Sequence, residues 1–581
     1  MKYPKLTELP TAREMVDVFR GYNHNLRIGD GEFYDMTNLS SDHYPVLSPR
    51  PKRGIYATPS KPQGMIDKDS ICYVDGGDFI INDYRLSGLG LTVDGNPKTL
   101  VSMGAYVIIM PDKKYVNTAD LTDFGSIEAI EETKTLVSFQ MCKADGTGYE
   151  NVVVNDTPPS DPKNMDLWID TSVTPHTLKQ YSSTNEMWTA VASTYVRISA
   201  TGIGRLFSVN DGVTISGIKD ESLSDLNSST VIWAKGQDYI VVTGMIEKVT
   251  SQDSPITVSR KMPNMDFIIE SGNRLWGCRY GEALNGEIVN EIYASKLGDF
   301  KNWNCFMGIS TDSYAASVGT DGQFTGAITH LGYPLFFKEN CVHKIYGNYP
   351  ANYQIQTTAC RGVQRGCERS LAIVNEILYY KARSAVCSFD GSLPVEMSSQ
   401  LGEMTYENAV AGTLGNKYYI SMQDVNGQYH LFVYDTLKGM WHREDNTEVV
   451  DFCNCRGDLY FIDRTDNQIK TVRGTGDITE NAAIKWGATT GVIGTDSPDK
   501  KYISRMDVRM SLEVGARVGF YAEYDSSGEW EHLFTMTGTK LGSFAVPIRP
   551  KRCDHLRLKI DGTGEAKIYS ICKTVEQGSD A

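Results

Sequence analysis

Short apolar runs recur at nearly even intervals along the chain. Their apolar cores begin at Leu275, Leu335, Leu378, Tyr418 and Leu459, which gives intervals of 60, 43, 40 and 41 residues. A period of about 40 residues, with about four short strands in each unit, is typical of the blades of a β-propeller. A sandwich of ordinary antiparallel hairpins is the alternative, and the evenness of the last three intervals favours the propeller.

Turn residues between these runs indicate antiparallel pairing. Asn426-Gly427 and Asp390-Gly391 are dipeptides that type I′ hairpin turns favour. Two further runs, "AYVIIMP" from residue 105 and "DYIVVTG" from residue 238, are interpreted as earlier blade strands separated by a long insertion. The only helical pattern is short and lies near residues 10–19. The sequence therefore predicts an all-β protein with a β-propeller core.

Changes in pattern divide the 581 residues into four regions. Prolines at 158, 159 and 162 indicate a linker-like entry to a small module. The blade period stops near residue 480, and the alternating strands beyond it predict a compact β-sandwich. The predicted regions are an N-terminal arm with the first propeller strands (1–120), inserted small β-modules (121–235, with one unit at about 157–195), the main propeller blades (236–480) and the C-terminal β-sandwich (481–581).

One stretch, "NEIYASKLGDFKNWNCF" at residues 290–306, combines a strand with an aromatic-rich turn. Phe300, Trp303 and Phe306 recur every three residues and have no catalytic group near them. Aromatic rings bury a large area with few rotatable bonds, which suits either the core of a blade or a contact between subunits. Closure of its own blade is the interpretation that needs fewer assumptions.

Composition limits the kinds of partner. The formal net charge of −15 argues against tight nucleic-acid binding through phosphate contacts. Residues 500–573 are the exception, with 13 Lys or Arg against 9 Asp or Glu. The twelve cysteines show no zinc-knuckle or C-x-x-C spacing, which indicates reduced cytosolic thiols. No signal-peptide pattern or membrane-spanning segment is recognised, so synthesis and folding in a cytoplasm are expected.

The sequence contains no recognisable catalytic signature. H-E-x-x-H, G-x-S-x-G and Walker A patterns are absent, and His330 and His343 are interpreted as packed or solvated side chains. "GTDGQFTG" at 319–326 vaguely resembles the Asp-box turn of sialidase propellers but lacks its spacing and its tryptophan. We therefore expect no enzymatic activity and nominate no catalytic, cofactor-binding or metal-binding residue.

Two basic clusters have the same pattern, Arg-Pro-Lys-Arg. They are interpreted as surface strand ends, or alternatively as docking arms that proline stiffens against an acidic neighbour. Their basic residues are Arg50, Lys52, Arg53, Arg549, Lys551 and Arg552.

Several stretches resemble one family. "YASKLGDFKNW", residues 361–391 and residues 22–54 are similar to segments of the tail nozzle (tail tubular protein B-like) β-propeller proteins of tailed bacteriophages. "MDLWIDTSVTPHTLKQYSSTNEMWTAV" resembles a small module of phage tail and baseplate proteins, although Met165 replaces its usual opening glycine. The likeness runs across most of the chain and is strongest from 273 to 465.

This resemblance implies a structural protein of the virion, assembled in the bacterial host cytoplasm. The expected form is a homo-oligomeric ring at the head–tail junction or tail nozzle, with a channel for DNA ejection. Its partners would be further copies of itself and adaptor, tail or fibre proteins, with no cofactor and no specific DNA binding. A net-negative wall would repel phosphates, so lumen-facing residues are expected to be mainly acidic or small and polar.

Two rival functions stay open from the sequence. A host-recognition protein would bind cell-surface glycan through the propeller or the inserted module, with Trp168 and Trp188 as candidate contacts. As strand residues of a very small module, these tryptophans are also natural core residues. An enzyme of sialidase type is the third interpretation.

Overall fold

The computed structural model describes residues 11–283, 286–474, 478–479, 483–495 and 500–577, and it describes only the backbone of residues 11, 478–479 and 577. Regular structure in these ranges is almost entirely β-strand, which confirms the all-β prediction. The helical elements described are four short 3-10 turns: Glu221–Leu226, Pro350–Asn352, Glu368–Ser370 and Ser399–Leu401.

The N-terminal segment is extended, so the prediction of a short helix near 10–19 is wrong. Its first strand pairs along its length with the last strand of the chain, from Thr11 opposite Glu576 to Val16 opposite Ile571. Pairing with a distant strand overrides the weak local helix preference. The strands of this segment are β1 (Thr11–Val16), β2 (Gly21–Tyr22), β3 (Glu32–Thr37), β4 (Leu39–Ser40), β5 (Ser48–Pro49) and β6 (Gly54–Ala57).

Blades 1 and 2 of a propeller follow. In each, four strands pair antiparallel in chain order through tight turns. The predicted run "AYVIIMP" supplies the second strand of blade 2, and its side chains are nearly all buried because neighbouring blades cover both faces. Blade 1 contains β7 (Pro62–Asp67), β8 (Ile71–Asp75), β9 (Asp78–Ile81) and β10 (Tyr84–Leu86), and blade 2 contains β11 (Thr99–Met103), β12 (Tyr106–Met110), β13 (Lys114–Asn117) and β14 (Phe124–Ser126).

The insertion occupies residues 127–266 and has its own apolar core. It therefore extends beyond the predicted boundary at 235. The run "DYIVVTG" pairs with Tyr195–Ser199 inside the insertion, so the prediction that it is a blade strand is wrong. The alternation of apolar residues predicts a strand but does not identify the strand with which it pairs. The strands are β15 (Ala129–Glu132), β16 (Val137–Cys142), β17 (Val152–Asn155), β18 (Leu167–Asp170), β19 (Thr177–Ser182), β20 (Met187–Ala190), β21 (Tyr195–Ser199), β22 (Gly212–Ser216), β23 (Ser229–Val231), β24 (Ala234–Lys235), β25 (Tyr239–Thr243), β26 (Thr250–Gln252) and β27 (Thr257–Arg260).

Blades 3 to 6 follow the insertion without further interruption. The periodic apolar runs are the second strands of successive blades, and the longer first interval reflects a long loop, residues 295–313, inside blade 3. The strands are β28 (Phe267–Ser271), β29 (Arg274–Glu282), β30 (Ile288–Ala294) and β31 (Tyr314–Ser317); β32 (Phe324–His330), β33 (Tyr333–Lys338), β34 (Cys341–Tyr346) and β35 (Gln354–Ala359); β36 (Ala372–Val374), β37 (Ile377–Lys381), β38 (Val386–Phe389) and β39 (Val395–Glu396); and β40 (Tyr406–Leu414), β41 (Lys417–Asp424), β42 (Tyr429–Asp435) and β43 (Met440–Arg443).

Blade 7 closes the ring with strands from both ends of the propeller. It consists of β44 (Val449–Cys455), β45 (Asp458–Asp463) and β46 (Ile469–Thr471), and its fourth strand is β6, with Thr471 opposite Gly54. β44 lies between the first strands of blades 6 and 1, and the Met65 amide donates to the Asp451 carboxylate across this junction at 3.0 Å. The described residues therefore form seven blades around one axis, and the pairing of β46 with the distant strand β6 closes the propeller.

After blade 7 the short strand β47 (Ile478–Thr479) also pairs with β6, and the chain then enters the C-terminal sandwich. The strands of the sandwich are β48 (Lys485–Thr490), β49 (Lys501–Tyr524), β50 (Glu531–Val546), β51 (Leu556–Thr563) and β52 (Ala566–Gln577). β49 is central: its first half pairs with β52, its second half with β51, and β50 runs along the other side. A bulge at 513–516 folds the ribbon, so that Met506 and Phe520 from the two halves line one cavity. The unit is therefore a sandwich made from one folded sheet.

The N-terminal strands join this sandwich to the propeller. β3 pairs with β48, and β2 connects β3 to blade 6, where Tyr22 lies opposite Trp441. One apolar core runs through blades 4 to 6 and the sandwich. Residues 11–49 are therefore part of the C-terminal unit, whereas the sequence analysis grouped them as an N-terminal arm with the first propeller strands.

Candidate assembly surface

The β50 strand is a long open edge. Twelve of its sixteen residues lie opposite residues of β49 on one side, and no other strand of the described residues pairs with it. Phe534, Met536 and Phe544 point toward the core, yet each is only partly buried because the sandwich ends at this strand. Open edges of this length usually carry protective charges or are covered by another chain. β50 is thus a candidate surface for assembly.

The opposite border of the same sheet is β1. It pairs with β52 on one side only among the described residues. Met15 on β1 is 64% exposed and Leu541 on β50 is 60% exposed. Both borders of the sheet therefore present apolar side chains to solvent, which the sequence analysis did not single out.

The aromatic turn lies in the loop of blade 3 and packs against blade 2. Phe300 and Trp303 are buried, and the Phe300 ring lies 4.8 Å from the Tyr106 ring and 5.2 Å from the Tyr115 ring. The Trp303 indole donates to the Phe300 carbonyl at 2.9 Å. The cluster closes the junction between two blades, where the sequence favoured closure within a single blade.

The same loop also anchors the insertion. Asn302 accepts a hydrogen bond from the Gly212 amide and donates to Asp211, each at 2.9 Å. A β-carbon on Gly212 would lie 2.3 Å from the Asn304 carbonyl oxygen, so only glycine fits this approach. Phe306 is different, because it is 59% exposed and outside the cluster. Two of the three predicted aromatic residues thus hold the monomer together, and the third remains available for contacts.

The basic residues of the two clusters occupy different environments. Arg50 and Arg53 are buried, so the prediction of a surface strand end or docking arm is wrong for them. Arg53 donates to Glu444 at 2.7 Å and pairs with Asp445 at 2.8 Å. Burial alone raises the pKa of Asp445, but Arg53 outweighs it and the pKa falls to about 2. This buried clasp fastens the N-terminal segment to the connection between blades 6 and 7.

The remaining basic residues are at the surface. Lys52 is exposed beside the clasp, and the side chains of the second cluster are exposed between β50 and β51: Arg549, Lys551 and Arg552. The Lys551 ammonium lies 4.8 Å from the centre of the Tyr524 ring. The second cluster therefore follows the open edge strand and adds positive charge there.

The two tryptophans of the inserted module form one aromatic cluster. Trp168 is buried and donates its indole N–H to the Asn155 carbonyl at 2.9 Å, and Lys179 covers its ring at 5.0 Å. Trp188 packs edge-on against Trp168 and beside Tyr181, and it is only partly buried. Trp168 is therefore a core residue of the module, while Trp188 and Tyr181 reach the surface of the module.

Arg369 crosses the propeller axis at one end. It lies between blades 4 and 5, yet it donates to the Val450 carbonyl of blade 7 at 3.3 Å and to the Lys98 carbonyl before blade 2 at 2.9 Å. It also pairs with the Asp451 carboxylate at 3.6 Å. These contacts span the ring, so this side chain obstructs the axis of the single propeller.

A cavity of about 340 Å³ lies within the sandwich, and one of about 290 Å³ adjoins Arg369 at the propeller axis. The residues that line the second cavity include Asp266 and Glu368, which the sequence did not distinguish from other acidic residues. No group of three or more His, Cys, Asp or Glu side chains able to hold a metal ion occurs in the described part of the chain.

Buried histidines serve the packing. The His343 ring hydrogen-bonds the hydroxyls of Thr320 and Thr357, and burial lowers its pKa to about 4. His330 donates to the Glu376 carbonyl at 2.7 Å. His442 is fully enclosed, and burial lowers its pKa to about 3. Within the ranges described, no helix is long and apolar enough to cross a membrane.

No family model and no curated protein matches the chain. Among solved structures, it is similar to PorZ, a surface component of the type-IX secretion system of Porphyromonas gingivalis, at 10% identity and TM-score 0.26, over 88% of this chain and 82% of PorZ. An exo-β-1,3-galactanase of Phanerochaete chrysosporium is similar at 9% identity and TM-score 0.22, over 53% and 94%. BamB of Moraxella catarrhalis is similar at 9% and 0.20, over 64% and 92%. Likenesses this weak carry no inference about activity.

Proposed function

We propose that this chain is an architectural protein of a tailed-phage virion that assembles into a homo-oligomeric ring at the head–tail junction or tail nozzle. The observation that carries the proposal is the open β50 edge with its partly uncovered apolar side chains. A lone monomer would leave this edge open to uncontrolled pairing, whereas an ordered oligomer covers it. The resemblance of several sequence stretches to phage nozzle proteins supplies the proposed location.

The path for DNA in such a ring lies between copies of the chain. Arg369 obstructs the axis of the individual propeller, so the channel of the proposal is the central hole of the oligomer. The net charge of −15 suits a wall that repels phosphates and lets DNA pass without binding. We expect the residues that face this hole to be mainly acidic or small and polar, and a basic lumen would contradict the proposal.

The direct test is the oligomeric state of the purified full-length protein. Light scattering after size exclusion should give a defined multiple of the 64.5 kDa chain mass, and negative-stain electron microscopy should show rings with a central hole. Immunogold labelling of particles should place the protein at one end of the tail. A monomer at all accessible concentrations, with no labelling of virions, would refute an architectural role.

A second candidate is glycan recognition by the inserted module. It is favoured by one observation: Trp188 and Tyr181 are adjacent and reach the module surface. Sugar rings commonly stack on such aromatic side chains, but the burial of Trp168 leaves a small platform. A glycan array with the intact protein and with Trp188→Ala tests this function. Specific binding that disappears in the variant would favour adsorption over the channel.

A further inference from the structure

One sheet of the sandwich has two borders that no other described strand covers. In its first half the strand order is β1, β52, β49, β50, with every neighbouring pair antiparallel. Because four strands alternate in direction, β1 and β50 run in opposite directions. A copy related by rotation about an axis roughly parallel to the strands keeps their directions, so its β1 border is antiparallel to β50 of the first copy. The sheet can therefore continue from one copy to the next without changing its pattern.

We propose that β50 of one copy pairs with β1 of the next, so that the sheets of successive copies form a continuous antiparallel band. The inference rests on the proposed ring and names the surfaces that build it. The contact is heterologous, since it joins two different surfaces, and a heterologous contact closes into a ring when its rotation allows. The partner that covers each edge is a second copy of this chain.

Side chains on both borders fit this pairing. Glu14 and Val16 line the interior cavity, so Met15 between them faces outward, where it is 64% exposed. On β50, Phe544 lies opposite the buried Val508 and faces inward. Outward-facing Leu541 would then share a face with Met15 of the next copy, and apolar cross-strand contacts of this kind stabilise sheets. The new strand would also cover the partly exposed inner ring of Phe544.

The register implies a stagger between copies. β1 lies beside residues 571–576 of β52, which pair with the first part of β49, whereas β50 extends along both halves of β49. Pairing over all six residues of β1 therefore requires the next copy to shift along the strand direction. Strands in closed barrels show the same displacement. A ring with tilted sheets is the expected form.

The test uses Met15→Lys and Leu541→Lys in the full-length chain, with Val514→Lys as the matched control. Val514 is 100% exposed at the bulge and lies on neither border, so its charge should leave assembly unchanged. Each border variant should raise the dissociation constant of the oligomer by about tenfold or more. Near-ultraviolet circular dichroism of all three variants should match wild type, because the substituted side chains are exposed.

Mixing the two border variants distinguishes this contact from others. Met15→Lys retains an intact β50, and Leu541→Lys retains an intact β1, so the mixture should form one-to-one dimers that do not grow. A symmetric contact between two β50 strands would instead leave Met15→Lys fully assembled. If wild type forms rings and both variants still do, the pairing is refuted while the ring stands. If wild type forms no ring, the proposed function fails and this inference fails with it.

Discussion

Trp303 offers the most informative single substitution. A tryptophan side chain buries about 150–250 Å², which at about 25 cal/mol per Å² corresponds to about 4–6 kcal/mol. Trp303 is 5% exposed, packs with residues of blade 2 and donates to the Phe300 carbonyl. Alanine retains a small part of this burial, so Trp303→Ala should destabilise the junction of blades 2 and 3 by about 3–5 kcal/mol.

The expected effect is local before it is global. The loop that carries Trp303 also holds Asn302 against Gly212, so the insertion should loosen together with blade 2. Hydrogen–deuterium exchange measured by mass spectrometry should show faster exchange in residues 99–126 and 210–216. Peptides of β49 and β52 in the C-terminal sandwich should keep their wild-type rates.

Phe306→Ala is the matched control, because it removes an aromatic ring from the same loop at a position that is 59% exposed. It should change stability by no more than about 0.5 kcal/mol. Equal effects of the two substitutions, or wild-type exchange in Trp303→Ala, would refute the assignment of this cluster to the blade junction. If Phe306→Ala has normal stability but no longer forms the oligomer, the exposed Phe306 side chain contributes to a contact between subunits.

Three further substitutions examine ionisable groups within the fold. Arg53→Met removes the cation that pairs with the buried Glu444 and the partly buried Asp445, and it should cost about 3–5 kcal/mol in thermal or denaturant unfolding. In wild type, the lowered pKa of Asp445 means that its stabilisation is complete above about pH 4 and lost as pH falls toward 2. Unchanged stability in the variant would contradict the role of this ion-pair cluster. Burial holds His442 neutral in the folded protein, with a pKa of about 3, whereas the unfolded chain binds a proton there below the ordinary pKa of about 6.5. This residue should therefore lower the free energy of unfolding by about 2 kcal/mol as the pH falls from 7 to 5. His442→Gln should make stability less dependent on pH in this range, and an unchanged dependence would contradict the role of His442. Arg369→Ala leaves the partly buried Asp451 carboxylate, whose pKa burial already raises, without its cation. We expect a loss of stability of about 1–3 kcal/mol at pH 7 that shrinks at acidic pH, where this carboxylate is protonated. A loss that does not depend on pH would indicate that Arg369 acts through packing alone.

The blade repeat is the part of the fold that local sequence predicts best. Each second strand is central in its blade and buried on both faces, so it forms a short apolar run whatever the neighbouring blades are. This pattern does not predict how many blades the propeller has. Blades 1 and 2 are separated from the rest by the insertion, and blade 7 takes β6 from a position about 390 residues away from its other strands.

The same limit explains the corrected predictions. Thr11–Val16 has a weak helix preference, and only the availability of β52 as a partner makes it a strand. Arg50 and Arg53 look like a surface cluster because sequence shows their charge but not Glu444 and Asp445, which neutralise Arg53 from a distant loop. Turn, strand and core residues leave a local signal, whereas a partner hundreds of residues away leaves none.

The chain by itself determined its all-β character, the 40-residue unit, the aromatic loop of blade 3 and the absence of familiar catalytic spacing, because each depends on neighbouring residues. The tertiary structure alone decided which strands close the propeller, that the N-terminal segment belongs to the C-terminal sandwich, and that β1 and β50 form the two borders without a further partner among the described strands. These features depend on which distant segments meet. Strand pairing through backbone hydrogen bonds accepts many sequences, so the choice of partner is made by the packing of the whole molecule.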